Sequence, residues 1–360
     1  MGKVVNREFL AVFVGRRVMV TGHTGFKGSW LAFLLNEIGA EVLGYALPAE
    51  QPVSHFTALD LAKSIHHVEA DVRDAAKLAE TMNEFQPEFV FHLAAQALVR
   101  PSYADPQVTF DTNVMGSVNL LDAVRQCNSV RSLVYITSDK CYENLEWVWG
   151  YRENDRLGGH DPYSASKAAA EIAFSAYACS FFSHRPELGA ATARAGNVIG
   201  GGDWAVDRIV PDCIRAIGNG KSVKLRNPNA TRPWQHVLEP LAGYLLLAGR
   251  LREQPIAYAG AWNFGPPSSE VRTVQEVAEY IVGRIGRGSV VAEPDVVKHH
   301  EANLLQLNCD KANQLLGWQP RWNMEQTLAA TADWYKSVMD GADASVVTRQ
   351  QLHNYFEEIK

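Results

Sequence analysis

The chain has 360 residues, of which 47% are hydrophobic and 21% are charged, a composition typical of a globular protein with one large or two interleaved domains. The formal net charge is −6 and no run of Lys and Arg is dense, which argues against nucleic acid or an anionic membrane surface as a partner. No apolar stretch reaches the roughly 18–20 residues that a membrane-spanning helix needs. We therefore expect a small-molecule partner, no nucleic acid and no membrane.

The cysteines and the paired histidines give no metal-binding pattern. The five cysteines are widely spaced, without a CxxC or Cys/His spacing: Cys127, Cys141, Cys179, Cys213 and Cys309. They are therefore predicted to be free thiols in a reducing compartment, and we expect a cytoplasmic protein. No metal is expected at His66 and His67 or at His299 and His300, because neighbours on a strand point to opposite faces and no acid or thiol cluster accompanies them.

In chain order, the first half alternates short β-branched runs with helical patterns. Strands are predicted at residues 17–21, 41–45, 65–71, 88–93, 131–137 and 188–195, and helices at 30–38, 75–85, 108–128 and 164–183. Apolar strands joined by helical crossovers form a parallel sheet that is covered on both faces. Right-handed crossovers make this sheet doubly wound, so the predicted fold class is α/β and Rossmann-like.

Beyond residue 196 the regular alternation of strands and helices ends. A Gly-rich segment, a helix at 209–217, a short strand near 223–226 and mixed elements follow. We predict a dinucleotide-binding domain over residues 1–195 and a second, smaller α/β substrate-binding lobe over 196–360. A segment at about 235–265 could return to the first sheet as another helix and strand. A cleft between the two lobes is the expected place for a substrate.

A Gly-rich motif, GHTGFKG at residues 22–28, follows the first predicted strand directly and opens a helix. Glycines at such a turn allow a close backbone approach to a pyrophosphate, whose charge then lies at the positive end of the helix. An ordinary strand-to-helix turn is the alternative. The second strand ends without the acidic residue that usually binds the adenosine ribose, but no nearby Arg suits a 2′-phosphate, which favours NAD over NADP. Asp71, after the third strand, is an adenine contact or a helix cap.

Two groups of residues are candidates for proton transfer. Tyr163 and Lys167 are four residues apart and hence on one face of a helix, where a cation about 5 Å from the phenol would lower the tyrosine pKa by roughly two units. Ser138, Asp139 and Lys140 follow the fifth predicted strand, at the sheet edge where ligands bind in such folds. A surface pair on a helix and a capped strand-end turn are the alternatives for the two groups.

Six motifs resemble those of the extended short-chain dehydrogenase/reductases and, within them, the CDP-glucose 4,6-dehydratases: TGHTGFKGSW (21–30), HLAAQ (92–96), TSDKCYEN (137–144), YSASK (163–167), GNVIGGGD (196–203) and RPWQHV (232–237). The resemblance implies NAD as cofactor, held by Gly22, His23, Gly25, Phe26, Lys27, Gly28, Asp71, Val72, Leu93, Ala94, Ala95, Tyr163 and Lys167. It implies Ser138, Asp139, Lys140, Tyr163 and Lys167 as catalytic residues. The expected substrate contacts are Gln96, Ser138, Asn197, Arg208 and Arg232, the two arginines at the diphosphate or, alternatively, in surface ion pairs.

The same resemblance implies an activity: dehydration of CDP-glucose to its 4-keto-6-deoxy derivative through transient oxidation at C4, in deoxysugar and lipopolysaccharide O-antigen biosynthesis. It also implies a homodimer that packs through the helices at 108–128 and 164–183. Lys140 stands where related dTDP-glucose 4,6-dehydratases have the Glu that removes the C5 proton, which leaves the C5 base open. A sugar-nucleotide 4-epimerase and a catalytically silent NAD-binding regulator remain as alternatives.

Overall fold

The computed structural model describes residues 7–267, 270–293 and 304–357. In chain order the strands are β1 Arg17–Thr21, β2 Glu41–Ala46, β3 His66–Glu69, β4 Phe89–His92, β5 Ser132–Ile136, β6 Gly189–Ala195, β7 Val198–Ile199, β8 Val223–Leu225, β9 Thr231–Arg232, β10 Gln235–His236, β11 Gly260–Phe264, β12 Arg272–Thr273 and β13 Val290–Ala292. The α-helices are α1 Phe26–Glu37, α2 His55–Ala58, α3 Ala75–Phe85, α4 Val99–Ala104, α5 Pro106–Phe110, α6 Gly116–Gln126, α7 Pro162–Ser180, α8 Ile209–Gly218, α9 Leu238–Glu253, α10 Val274–Ile285, α11 Met324–Met339 and α12 Ala344–Glu357.

The main sheet has seven parallel strands in the order β11-β6-β5-β4-β1-β2-β3. The chain runs outward from β1 through β2 to β3 and then returns to β4 on the other side of β1. This reversal leaves a crevice at the carboxyl ends of β1 and β4, which is where such sheets bind ligands. The predicted doubly wound α/β fold is confirmed.

Successive side chains of a strand point to opposite faces of the sheet and so enter two layers of hydrophobic core. On β1, Val18 and Val20 belong to a cluster with α1 and α9, whereas Met19 belongs to a cluster with α3, α6 and α7 on the opposite face. All three residues are fully buried. The nearly continuous apolar strands thus follow from a sheet that is covered by helices on both sides.

The elements after β6 share the core of the main sheet. The cluster around α1 extends through residues of α8, α10, α11 and α12, so both lobes contribute to one hydrophobic core. Strand β11 pairs with β6 in parallel register and α9 precedes it, while the short ladders β7–β10, β9–β12 and β8–β13 lie apart from the main sheet. The lobe therefore packs directly onto the carboxyl edge of the sheet.

The single helix predicted at 108–128 is interrupted. A π-helical segment, Asp111–Met115, separates α5 from α6, and the last turn ends at Gln126. Within that segment, the Asn113 amide donates to the Gln96 carbonyl at 3.0 Å and to Ser166 Oγ at 2.8 Å. The wider turn is consistent with these inward bonds, which hydrophobic periodicity alone does not reveal.

The cysteines and histidines behave as structural groups. The five cysteines are free, and the described part of the chain holds no group of three or more His, Cys, Asp or Glu side chains suited to a metal ion. His66 faces Glu41 at 3.4 Å, whereas His67 points toward the opposite side of the strand. The pair at 299 and 300 lies outside the described residues. Across residues 7–267, 270–293 and 304–357, no helix has the length and apolarity to cross a membrane.

Gly201 lies where the Gly-rich segment crosses the carboxyl-terminal helices. Its carbonyl accepts a 2.9 Å bond from Trp30 Nε1, and a Cβ at this position would lie 2.0 Å from Trp334 Cγ. Trp334 is fully buried and donates to Thr348 Oγ1 at 2.9 Å. Trp30 of α1 and Trp334 of α11 therefore both pack against residue 201, where Trp334 leaves no room for a side chain.

We expect Gly201→Ala to lower the free energy of unfolding by about 2–3 kcal/mol, because a rigid aromatic ring must move to admit the methyl group. Gly218→Ala is the matched control, since no atom lies within 4 Å of its added Cβ and alanine favours the helix. Urea unfolding of both variants measures the difference. Equal stability of the two variants would contradict this account of the crossing.

Candidate active site

The turn after β1 forms a tight backbone cradle. Gly22 has φ of 76°, and a Cβ there would lie 2.7 Å from the Ala94 nitrogen, while a Cβ at Gly28 would lie 2.1 Å from the Gly22 oxygen. Helix α1 starts at Gly25 without a side-chain cap, so its first amides point outward unpaired by any side chain. A pyrophosphate fits this arrangement, because it takes backbone amides at a helix start and needs a turn without side chains.

The second part of the crevice lies at the ends of β2 and β3. His23 Nε2 shares a 2.7 Å hydrogen bond with His67 Nδ1, and burial together with His67 lowers the pKa of His23 to about 3. A Cβ on Gly44 would lie 2.3 Å from the His23 ring. A buried, neutral imidazole thus packs against the end of β2, where the sequence has no acidic residue.

Asp71 binds Arg73 and does not cap a helix. Its carboxylate accepts bonds of 2.6 and 2.9 Å from the guanidinium, which lower the pKa of Asp71, and the cap of α3 is Asp74. The cap alternative for Asp71 is therefore wrong, whereas adenine contact by Asp71 stays a prediction. Val72 is buried against Gly116, whose Cβ would lie 2.8 Å from Val72 Cγ2.

Residues 93–95 follow β4 and close the other side of the crevice. The Leu93 amide donates to the Thr21 carbonyl at 3.1 Å, and the Ala94 amide contacts Thr21 Oγ1 at 3.3 Å. All three predicted residues in this segment are half-buried. Residues 93–95 therefore lie beside the glycine turn at residues 22–28, close enough to contact the same ligand.

The end of β5 carries the predicted serine, aspartate and lysine in a buried turn. Ser138 Oγ donates to Asp139 Oδ1 at 2.9 Å and accepts from the Lys140 amide at 3.3 Å, so the serine also caps the turn. Asp139 is only 2% exposed, and a Cβ on Gly196 would lie 2.5 Å from its Oδ2. Glycine at 196 therefore leaves room for the carboxylate.

Helix α7 brings the second candidate pair to the same place. Asp161 caps the helix by accepting from the Ser164 amide at 2.9 Å, and Ser166 Oγ donates to the Tyr163 carbonyl at 2.7 Å. Tyr163 is 8% exposed and Lys167 is 6% exposed. The surface alternative for this pair is therefore wrong, since both side chains turn inward.

The expected effect of Lys167 on Tyr163 is not found. Burial raises the pKa of Tyr163 to about 12, with Asp139 adding to the rise and a hydrogen bond from Ser138 opposing it. Burial and the charge of Lys27 lower the pKa of Lys167 to about 8. The prediction failed because desolvation disfavours the phenolate and the ammonium alike, an effect that spacing on a helix does not report.

One cavity of about 430 Å³ joins the end of β5 to the first turn of α7, and Lys167 is not among its lining residues. Its wall includes Ser138, Asp139, Lys140 and Tyr163 together with the predicted substrate residues Asn197, Arg208 and Arg232. Arg208, at the start of α8, donates to Asp203 Oδ2 at 2.9 Å, and Arg232 lies on β9. The main sheet and the second lobe thus supply opposite walls of one site.

Lys27 and Gln96 take different positions relative to the cavity. Lys27 lines the substrate cavity, where burial and Arg208 lower its pKa to about 8, so its ammonium faces the reacting groups. Gln96 is outside the cavity wall, and its amide bonds Leu98 and Thr109 within the following loop. Both ends of the Gln96 side chain are thus paired within the protein, and its contact with a substrate stays a prediction.

The motifs did not indicate two further cations of the cavity wall. Arg226 donates to Asp207 Oδ1 at 2.7 Å, and Arg100 of α4 lies 3.7 Å from the same carboxylate. They come from segments far apart in the chain, so only the packing of the lobe brings them together. Neither arginine lies in one of the motifs, so the sequence offered no signal that they meet.

Comparison with known proteins supports this geometry. The family model for GDP-mannose 4,6-dehydratase matches residues 19–331. A CDP-glucose 4,6-dehydratase from Salmonella typhimurium is 47% identical over 345 residues, which cover 95% of this chain and 96% of that protein. A dTDP-glucose 4,6-dehydratase from Streptomyces antibioticus is 26% identical over 89% of this chain and 92% of its own.

Solved structures share the same architecture. UDP-glucose 4-epimerase from Thermus thermophilus, in complex with NAD, aligns with a TM-score of 0.76 at 27% identity over 89% of this chain and 99% of that one. A dTDP-glucose 4,6-dehydratase from Streptomyces venezuelae aligns with a TM-score of 0.74 at 23% identity, covering 91% of this chain and 99% of that one. The chain therefore belongs to the GDP-mannose 4,6-dehydratase-type family of extended short-chain dehydrogenase/reductases, as its motifs predicted.

Proposed function

We propose that this protein is an NAD-dependent nucleotide-sugar 4,6-dehydratase that converts CDP-glucose into its 4-keto-6-deoxy derivative. The observation that carries the proposal is the single cavity wall shared by Ser138, Asp139, Lys140 and Tyr163. Dehydration needs a base at the C4 hydroxyl, a base at C5 and an acid at the C6 hydroxyl, and this wall offers a group for each. The 47% identity to a CDP-glucose 4,6-dehydratase supports the same assignment.

The cofactor would lie in the crevice between β1 and β4. Its pyrophosphate would bind the backbone at Gly22, Gly25 and Gly28, and the turn leaves no room for a side chain at Gly22 or Gly28. Burial and the charge of Lys167 lower the pKa of His92 of β4 to about 3, which supports a position of the Lys167 ammonium near this crevice. When bound, NAD supplies a reversible hydride acceptor for the oxidation at C4 and the later reduction at C6.

Tyr163 would accept the proton of the C4 hydroxyl. Burial raises the pKa of Tyr163 to about 12, so the phenolate that takes this proton would form only when added positive charge, such as that of an oxidised nicotinamide ring, lowers the pKa. Ser138, which hydrogen-bonds Tyr163, would hold the substrate oxygen in line. The buried wall excludes water, which strengthens these few polar contacts.

Lys140 and Asp139 would divide the elimination between them. Lys140 Nζ would remove the C5 proton, which the neighbouring C4 ketone makes acidic, and would return a proton to C5 at the end. The Asp139 carboxyl group would protonate the departing C6 oxygen, so that water leaves. The Lys140 amide donates to Ser138 Oγ at 3.3 Å, and this bond holds Asp139 and Lys140 in one tight turn.

The second lobe would hold the nucleotide diphosphate. Arg208 and Arg232 lie on the wall opposite the strand ends, and a guanidinium matches paired phosphate oxygens. Arg208 is held by Asp203, whose charge raises the pKa of the guanidinium, so Arg208 stays fully charged. Asn197, on the same wall, would contact the sugar.

We also propose a cytoplasmic homodimer. Helices α5 to α7, on the face away from the second lobe, expose large apolar side chains: Val108, Phe110, Met115, Ile172 and Phe181. A second copy of the same face would cover these side chains in a two-fold arrangement. Cytoplasmic location is supported by five free cysteines, three of them buried, which suit a reducing compartment.

The most direct test is incubation of the purified protein with NAD and, in turn, CDP-, dTDP-, GDP- and UDP-glucose. We expect CDP-glucose to lose the mass of one water most rapidly. Mass spectrometry separates a dehydratase from both alternatives, and nuclear magnetic resonance of the sugar separates a 4-epimerase, which inverts C4 without a change of mass, from a silent protein. Conversion of another nucleotide sugar but not CDP-glucose would contradict the proposed substrate.

Replacing Tyr163 with Phe removes the proposed base while it keeps the ring packing. We expect kcat for dehydration to fall by about 10²–10⁴-fold with little change in KM. Tyr177→Phe, farther along the same helix and outside the cavity wall, is the control and should stay within about twofold of the unaltered protein. A fully active Tyr163→Phe variant would remove this residue from the mechanism.

The role of Lys140 can be isolated with heavy water. In D₂O the unaltered protein should place one deuterium at C5 of the product, because the removed proton exchanges with solvent before it returns. Lys140→Gln should abolish this incorporation and the loss of water together. Nuclear magnetic resonance of the sugar reports both, and deuterium at C5 in the variant would show that another group is the base.

A further inference from the structure

A buried ion pair lies directly behind the proposed catalytic groups. Glu171 of α7 accepts two 2.8 Å hydrogen bonds from the guanidinium of Arg194 of β6, and each side chain is 4% exposed. Taking two charges out of water is costly, so a buried pair by itself contributes little net stability. The residues that the ion pair holds in place therefore explain its presence better than a contribution to stability does.

Glu171 holds the residue that comes before the catalytic serine. Its Oε1 accepts a 2.5 Å bond from Thr137 Oγ1, and Thr137 is followed directly by Ser138. Its Oε2 accepts a 2.9 Å bond from Thr192 Oγ1 of β6. The carboxylate thus joins the end of β5, the neighbouring strand and α7 at a single buried point.

Arg194 holds the other end of the same segment. Its Nη1 donates to the Tyr142 hydroxyl at 2.8 Å, and its guanidinium lies 4.9 Å from the centre of the Tyr142 ring. Tyr142 follows the turn Asp139–Cys141 and is itself fully buried. The ion pair therefore binds residues on both sides of the proposed serine, aspartate and lysine.

We propose that Glu171 and Arg194 are positioning residues, whose ion pair fixes segment 137–142 against α7 so that Ser138 and Tyr163 stay aligned. The inference rests on the proposed function only for the chemistry that the aligned residues perform. Neither side chain lines the cavity, so they act through Thr137 and Tyr142.

The carboxylate has a second effect through its charge. Glu171 lies one helical turn after Lys167 and raises the pKa of Lys167, against burial and the charge of Lys27, which lower it to about 8. The other titratable groups that face Lys167 are the Cys141 thiol and His92 of β4. Removal of the Glu171 charge should therefore let Lys167 lose its proton at lower pH.

A matched pair of variants tests the positioning role. Thr137→Val and Thr192→Val each remove one hydroxyl bond to Glu171 and leave the ion pair in place. Only Thr137 adjoins Ser138, so we expect kcat for dehydration to fall at least tenfold more in Thr137→Val than in Thr192→Val, with KM similar in both. Equal losses in the two variants, or no loss in either, would overturn the proposal.

The charge effect has a test that does not need turnover. Lysines methylated with ¹³C are followed by nuclear magnetic resonance, and Lys167→Arg identifies the Lys167 signal. We expect the Lys167 midpoint to fall by at least one pH unit in Glu171→Gln and to be retained in Glu171→Asp, which keeps the charge. An unchanged midpoint in Glu171→Gln would contradict the electrostatic part.

The two tests separate this inference from the proposed function. If the unaltered protein dehydrates no nucleotide sugar, the proposed function fails. The inference is then tested by the midpoint of the Lys167 titration and by the position of Ser138 in a crystal structure of Thr137→Val. A Ser138 that stays in place there would overturn it. If the unaltered protein is active and the threonine variants match one another, the inference alone fails.

Discussion

The contact of helix α7 with the carboxyl ends of β5 and β6 is the constraint on which the site depends. A buried carboxylate on α7 bonds both strands, and the Ser166 hydroxyl fastens the first turn of the same helix to Asn113. Tyr163 projects from that first turn into the cavity, opposite the turn that carries Ser138 and Asp139. The chemistry is thus placed by the packing of a single helix across the sheet edge.

Burial sets the electrostatic character of this site. The low exposure of Tyr163 and Lys167 disfavours their charged forms, so neither residue has the pKa that a solvated pair would show. Lys27 adds a further cation, and its own pKa is lowered for the same reason. Proton transfer in such a site depends on preorganised polar and charged groups, which act more strongly in a water-poor cavity.

Most of the fold could be predicted because its signal is local. Strand and helix alternate with clear periodicity up to β6, and the glycine cradle after β1 follows from one motif. The π-helical segment could not be predicted, since it depends on bonds from Asn113 to groups distant in sequence. The paired amide of Gln96 and the position of Lys27 in the substrate cavity likewise depend on tertiary packing.

The residues of the candidate site could be predicted better than their state. Tyr163 of the YxxxK motif and the strand-end triplet lie on one cavity wall, but the rise in the Tyr163 pKa depends on burial, which spacing does not report. The ion pair behind the site left a weak signal: an acid four residues after Lys167, and Arg194 within a strand of small residues. The hydrogen-bonding partners of Glu171 and Arg194 could not be predicted, because they depend on which strands are neighbours in the sheet.

In the proposed reaction, the C4 hydroxyl of a nucleotide-linked hexose contacts Tyr163 of α7, beside the turn that follows β5. A crystal structure of the unaltered protein with NAD and CDP-glucose tests it most directly. The account predicts the Tyr163 hydroxyl within hydrogen-bonding distance of the C4 oxygen, with the diphosphate at Arg208 and Arg232. A hexose bound with C4 remote from Tyr163 and from the dinucleotide would contradict it.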